Sequence, residues 1–308
     1  MQLTLGPIPF FWPKQQVLDF YEGLLEQPVE RIYLGESVCS KRREMRIQDW
    51  LDMASFLQDN GKQVVLSTLT LIEAESELKQ LKRLCEQGQF LVEANDMGAV
   101  QLLSQQGVPF VTGSAINIYN GRSLRRLQQA GMQRWNLPVE LSQTSLRETI
   151  AQAQDLSTEP LPQVEIFAYG YLPLAYAARC FTARHRNLPK DDCSFCCMEY
   201  PQGIPLASQN GEQLFVMNGI QTLSAKCYNL LNQIDVMREI GVNAVRISPT
   251  APDMSEVIQR YNKSINAPQA NAPKTGGMIS LVADDANCNG YWFGQPGMNH
   301  QTNQMPAP

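Results

Sequence analysis

Four cysteines fall between residues 180 and 197 of this chain: Cys180, Cys193, Cys196 and Cys197. A fifth, Cys39, sits far upstream in Gly35-Glu36-Ser37-Val38-Cys39-Ser40. Thiolates are soft ligands, and four of them can hold a zinc ion or an iron–sulfur cluster. Zinc ribbons usually carry two Cys-x2-Cys pairs. Here there is at most one, so a three-plus-one arrangement with a distant fourth ligand suits an iron–sulfur cluster somewhat better. Spacing alone leaves zinc, an iron–sulfur cluster and redox or structural thiols all open. It also leaves open whether Cys196 or Cys197 is the ligand, since adjacent side chains diverge on an extended backbone. Cys85 lies in a helical pattern beside Leu81 and Leu84, and Cys227 lies in the apolar run 223–231. Both are expected to be small buried apolar residues. Cys288, in Asn287-Cys288-Asn289-Gly290-Tyr291-Trp292, is expected in a loop.

The elements that must position these thiols alternate. Short β-rich runs at 3–5, 31–35, 63–70, 90–93, 110–112, 134–139, 164–169 and 243–248 are separated by helical patterns at 15–25, 48–59, 72–86, 97–105, 123–129 and 145–154. A long helix is expected over 223–240, from its apolar spacing. Repeated strand–helix units imply parallel strands joined by crossover helices. No glycine-rich dinucleotide turn follows the first strand, which favours a closed (β/α)8 TIM-like barrel over an open sheet. The cycle breaks at 172–212, a cysteine-rich insert, so 1–293 reads as one barrel-type domain. The tail 294–308 is expected to be disordered on composition. In such a barrel the strand C-termini form the functional face. Cys39 follows the second strand and the insert follows the seventh, so both loops are expected on one rim.

Of the 308 residues, 44% are hydrophobic and 18% charged, a composition that builds a core without disulfides. A net charge of −5 argues against a chain whose main task is gripping nucleic-acid backbone. No run of apolar residues is long enough to span a membrane. The apolar stretch 1–13 lacks a basic start and holds Pro7, Pro9 and Pro13, so it is not read as a signal peptide. The expected location is the cytosol, where thiols stay reduced.

Four motifs occur in order: Tyr33-Leu34-Gly35-Glu36-Ser37-Val38-Cys39-Ser40-Lys41-Arg42-Arg43; the run from Tyr169-Gly170-Tyr171-Leu172-Pro173 to Cys180-Phe181-Thr182-Ala183-Arg184; Val216-Met217-Asn218-Gly219-Ile220-Gln221-Thr222; and Cys288-Asn289-Gly290-Tyr291-Trp292. With them the chain resembles the collagenase-like (U-type) peptidase family, and within it the branch that serves ubiquinone biosynthesis. The resemblance runs from Leu5 to about Phe293. It implies a [4Fe-4S] cluster held by Cys39, Cys180, Cys193 and Cys197, with Cys196 as a neighbour. It implies an oxygen-independent hydroxylation of an aromatic ring, with prephenate as oxygen donor. It implies a heterodimer with a paralogue, UbiU, and a lipid-binding partner, UbiT, that presents the ubiquinone precursor.

Proteolysis is not expected, because no nucleophile–base pair is evident. Only two histidines exist, His185 and His300. His185 is flanked by Arg184 and Arg186 and is expected in a solvated loop. Lys41, Arg42, Arg43 and Arg46 follow Cys39, and Arg179, Arg184 and Arg186 surround Cys180. They read either as solvated loops or as cations that stabilise a reduced cluster or bind a dicarboxylate. Glu36, Glu93, Asp96, Glu140 and Glu165 are carboxylates near the expected barrel mouth and receive no role. Trp12, Trp50, Trp135 and Trp292 are expected in the core or an interface. Two further readings stand beside the hydroxylase subunit: an RNA base hydroxylase of the same wider family, which the low charge weighs against, and a non-catalytic electron-transfer or scaffold subunit whose partner houses the chemistry.

Overall fold

A computed structural model describes residues 1–267 and 286–301. In chain order the elements begin β1 (Gln2–Leu5), α1 (Lys14–Gly23), β2 (Arg31–Leu34), α2 (Ile47–Asp59), β3 (Gln63–Ser67), α3 (Glu75–Cys85), β4 (Leu91–Ala94), α4 (Met97–Gln105), β5 (Phe110–Thr112), α5 (Gly121–Gln129), β6 (Met132–Asn136) and α6 (Gln143–Leu156). They continue with β7 (Gln163–Tyr176), α7 (Phe181–His185), β8 (Ile204–Ala207), β9 (Gln213–Asn218), β10 (Gln221–Asn229), α8 (Ile234–Ile240), β11 (Ala244–Ile247), α9 (Ser255–Asn266) and β12 (Asn287–Cys288).

The strands β1 to β7 and β11 are buried along most of their length, as strands covered on both faces must be. All pair in parallel, and the ring closes: Leu3 of β1 stands opposite Val245 of β11, and Val245 opposite Ile166 of β7. This is the eight-stranded TIM-like barrel expected from the alternation, with each of the eight predicted strands in place. Leu3, Leu5, Ile32, Leu34, Leu66 and Val92 face outward and pack under the helices, forming the main core. Their neighbours face the lumen, where Tyr33, Val65 and Val111 form a second, small apolar layer. Side-chain caps start several helices: Asp96 accepts the Gly98 N–H, Asn120 that of Ser123 and Ser142 that of Ser145.

The chain departs from this cycle where β7 outgrows the barrel. Up to Tyr169 it pairs with β11; beyond, its second half pairs antiparallel with β10, which continues to β9 and β8. Gly170 makes the bend with φ of 126°, and a Cβ there would stand 2.8 Å from that of Ser248. The long helix expected over 223–240 is therefore corrected. Residues 221–229 are strand, Leu231–Gln233 form a single 3-10 turn, and only Ile234–Ile240 is α-helical. Leu223, Cys227 and Leu230 fit a helical spacing, but pairing with β7 and β9 decides the matter, a tertiary override of a local pattern.

A helix not anticipated, α9, buries Val257, Ile258 and Tyr261 against the barrel. Residues 294–301 are also tied down, against the disorder expected for the tail. Gln295 N–H donates to Gly290 O, Asn289 N–H to Asn299 O and Gln301 N–H to Asn289 Oδ1. Residues 302–308 lie outside those described. No helix among the described residues is long and apolar enough to cross a membrane.

Candidate metal centre at the barrel rim

The lumen beneath the rim is filled by an ionic network. Arg246 on β11 donates 2.5 Å to Glu93 and 2.6 Å to Glu165, both carboxylates being almost wholly buried. The guanidinium also lies over the Tyr33 ring, 3.8 Å from its centroid. Glu165 accepts in addition from Thr4 at 2.5 Å and from Tyr33 OH at 2.9 Å, and Glu93 from Ser67 at 2.6 Å. Arg134 reaches Tyr33 OH from below. Burial opposes the Arg246 charge, but Glu165 and Glu93 together hold it protonated, well above the ordinary arginine range. Burial likewise pushes the Tyr33 phenol well up, with Glu165 adding to the shift, so it stays a neutral donor.

The loop after β2 carries the first thiol of the rim. Gly35 opens it with φ of 133°, in a space where a Cβ would sit 2.7 Å from Ser67 O. Glu36 then folds its carboxylate over the loop and accepts the Val38 N–H at 2.8 Å and the Cys39 N–H at 3.0 Å. Burial raises the Glu36 pKa, while Arg42 and these two N–H groups oppose the rise. Burial also raises the Cys39 thiol, opposed by the Lys41 N–H and Arg42.

The insert after β7 carries the other thiols. Cys180 caps α7, its sulfur accepting the Ala183 N–H at 3.4 Å. Ser194 and Phe195 take φ of 48° and 52°. These left-handed conformations, disfavoured for side chains with a Cβ, turn the chain so that Cys196 N–H meets Cys193 O at 3.1 Å. Cys196 is buried within electrostatic reach of Cys180 and Cys193. Cys197 reaches Cys39 and Cys180 instead, and burial pushes its thiol up to about 11, with Arg42 opposing. The rim thus collects Cys39, Cys180, Cys193, Cys196 and Cys197, all as free thiols. Among the described residues no three His, Cys, Asp or Glu side chains stand grouped so that they could hold a metal ion.

Arg42 ties the Cys39 loop to the β9–β10 turn. Although it belongs to a basic run, its side chain is only 2% exposed. It pairs with Glu36 at 3.8 Å and donates 2.7 Å to Pro9 O and 2.7 Å to Asn218 Oδ1 at the β9–β10 turn. Asn218 in turn donates to Gln221 Oε1 at 3.0 Å, and Gln221 to Tyr176 OH at 2.9 Å. Tyr176 bonds to Thr70 across the barrel mouth. A chain of four side chains therefore runs from the thiol rim to the mouth, which Ser37, Thr70, Asn95, Tyr171 and Arg246 also line.

The loop after β2 and the insert after β7 both follow the C-terminal ends of barrel strands, whereas nothing in the residue pattern pointed to this chain of side chains. A buried arginine inside Lys41-Arg42-Arg43 looks like any solvated cation until its partners are known. Its neighbours remain outside: Arg43, Arg179 and Arg184 are exposed, Lys41 pairs with Asp191 and Arg186 with Glu199. The carboxylates separate by role. Glu93 and Glu165 face the lumen, Glu36 braces the Cys39 loop, Asp96 caps α4 and Glu140 accepts from Tyr119. His185 is exposed, with its ring edge against Tyr200. Cys85, Cys227 and Cys288 are buried apart from the rim, Cys227 and Cys288 on paired strands.

Known proteins resemble this chain at low identity. A collagenase of Porphyromonas gingivalis (strain ATCC BAA-308 / W83) is 20% identical over 299 residues, covering 89% of this chain and 72% of that protein. The tRNA hydroxylation protein P1 of Bacillus subtilis (strain 168) is 22% identical over 158 residues, covering 49% of this chain and 36% of that protein. Among solved structures, the U32 peptidase Mk0906 aligns with a TM-score of 0.45 and 13% identity over 82% of this chain and 94% of its own. Dihydropteroate synthase from Thermus thermophilus aligns with a TM-score of 0.40 and 12% identity over 85% and 93%. The profile of peptidase family U32 matches residues 18–302, nearly the whole length, and the chain belongs to that family.

Proposed function

We propose that the chain is the [4Fe-4S] subunit, of the UbiV kind, of an oxygen-independent hydroxylase in ubiquinone biosynthesis. In this reading it works as a heterodimer with a UbiU paralogue, takes its lipid precursor from UbiT and uses prephenate as oxygen donor. The observation that carries it is the delivery of free thiols from two loops, about 140 residues apart in sequence, onto one barrel rim. Family membership and a relative named for tRNA hydroxylation support the reaction class.

Cys39, Cys180, Cys193 and Cys197 would hold the cluster, with Cys196 packed beside it. The donor chemistry fits: all four are soft and partly exposed, and buried Arg42 acts on Cys39 and Cys197, where its charge would offset the negative charge of thiolate ligands. When bound, such a cluster supplies one-electron transfer. The residues of this chain orient and shield: Glu36 fixes the Cys39 loop through two N–H bonds, and Tyr176 and Gln221 offer neutral hydrogen bonds at the mouth.

A second reading, hydroxylation of an RNA base, is favoured by the Bacillus subtilis relative alone and opposed by the net charge of −5. A third keeps this chain as an electron-transfer or scaffold subunit. Oxygen-free purification with assays of iron, acid-labile sulfide and zinc tests the first. About four irons and four sulfides per chain, with visible absorption lost in Cys39→Ala/Cys180→Ala, support it. Stoichiometric zinc without sulfide, in protein that cannot be reconstituted with iron, overturns it. Activity of the isolated chain against the reconstituted pair separates the third reading, and co-purifying nucleic acid would favour the second.

A further inference from the structure

The outer helix layer is uneven. α3 packs closely on α4 and α5 on α6, whereas α2 and α3 approach one another less. Between them lies a cleft of about 570 Å³, within the roughly 300–1,000 Å³ of small-molecule sites. It sits outside the barrel lumen and is bordered on one side by the loop between β2 and α2, from Gly35 to Arg46.

The cleft has two chemically distinct parts. Its floor is apolar, built by Met45, Trp50, Leu66 and Leu81, with half-buried Ile72 and Leu84 at its sides. Its rim carries the exposed arginines Arg43, Arg46 and Arg83. The two carboxylates that line it are already engaged. Glu36 accepts two N–H groups and pairs with Arg42. Glu77 accepts from Ser40 Oγ and from the Glu73 and Ala74 N–H groups. Arg46 has Asp49 nearby, but no ion pair of the described residues involves Arg43 or Arg83. An apolar floor alone would suit a neutral ligand. Two guanidinium groups without carboxylate partners at its edge select against one and favour an anion, which they can grip with paired N–H donors.

We propose that the cleft between α2 and α3 binds an amphiphile with an apolar body and an anionic head, the body lying on the floor around Trp50 and a carboxylate or phosphate held by Arg43 and Arg83. The proposal stands apart from the cluster reading, because the cleft needs no metal and lies in the helix layer.

The test titrates the full chain, without iron, with laurate and with dodecyl phosphate, both below their micellar concentrations. Calorimetry gives affinity, and quenching by 11-bromoundecanoate locates the chain against Trp50. Saturable one-to-one binding is expected for both heads, and whichever binds tighter identifies the preferred anion. Arg43→Ala/Arg83→Ala should weaken it at least tenfold, Arg43→Lys/Arg83→Lys less, and dodecanol should bind at least tenfold more weakly than laurate. Both arginines are exposed, so these variants keep the fold, which circular dichroism verifies. The quenching should disappear in Trp50→Phe. Unchanged laurate affinity in the alanine variant, quenching that survives in Trp50→Phe, or inorganic phosphate binding as tightly as dodecyl phosphate would each overturn the proposal.

Discussion

The barrel lumen and the barrel rim treat reactive groups in opposite ways. In the lumen, Arg246, Glu93, Glu165, Tyr33, Thr4 and Ser67 interlock, and each carboxylate oxygen has a donor. At the rim, five thiols gather with little to satisfy them beyond an occasional backbone N–H. The ionic lumen resembles an active site at first sight, with two carboxylates and an arginine at the strand ends. Its groups are committed to each other, however, and a group so committed has little left for a substrate. The groups still open to a partner are the thiols.

This contrast can be broken most directly at Arg246. Replacing it with methionine leaves Glu93 and Glu165 buried without their cation, which should cost about 3–5 kcal/mol. Urea unfolding of both proteins gives the difference, and a loss below ~1 kcal/mol would mean that the lumen is not held by its charges. Thiol chemistry sharpens the contrast from the other side. Burial pushes Cys85 and Cys288 up to about 12 and Cys227 up to about 11. At pH 8 a thiol at 12 is only about one part in ten thousand ionised. Iodoacetamide followed by mass spectrometry should therefore label Cys85, Cys227 and Cys288 only once the protein unfolds, whereas half-buried Cys180 and Cys193 are within the reagent's reach in native apo protein. Equal rates would erase the distinction between rim and core.

A smaller effect calibrates both regions. The Lys14 ammonium, 2.7 Å away, and the Arg46 N–H hold the Asp49 carboxyl below its usual range. A folded-state pKa below the unfolded one means stability that is present above the ordinary aspartate value and is lost as pH falls through the folded value. Asp49→Asn should cost under about 1 kcal/mol at pH 7, and the gap to wild type should close below about pH 3.9. The smallest change is expected at the rim. Serine caps a helix as well as cysteine does, so Cys180→Ser should move the unfolding free energy of apo protein by no more than about 0.5 kcal/mol. The same variant should fail to incorporate iron and sulfide. A large loss of apo stability would assign Cys180 to the fold instead of the site.

Much of this was legible in the residues. The eight barrel strands are marked by short β-rich runs between amphipathic segments, and strand order alone puts the Cys39 loop and the insert on one face. Local pattern failed where strand pairing overrides a helical spacing. Residues 223–240 carry a helical spacing, yet β10 forms because β7 and β9 stand on either side of it. The alternation around Glu165 showed a two-faced strand but could not name the lumenal face. Its partners do so, since Thr4, Tyr33 and Arg246 reach it from three other strands. Arg42 was hidden for a similar reason. Nothing in Lys41-Arg42-Arg43 separates the middle residue from its neighbours, and burial is set by Pro9 and Asn218, from opposite ends of the chain.

The placement of the thiols on distant loops also sets a clock. A chain leaves the ribosome at about 5–20 residues per second, so Cys197 follows Cys39 by roughly 8–30 s. Until Cys180 is made, Cys39 has no other rim thiol beside it on the unfinished protein. The rim comes into being only after β7 has been made and the insert has folded back toward the loop after β2. In the proposed reading, whatever loads this site would therefore meet a nearly finished barrel, and an oxidant that reaches Cys39 first would spoil the site before its other thiols exist.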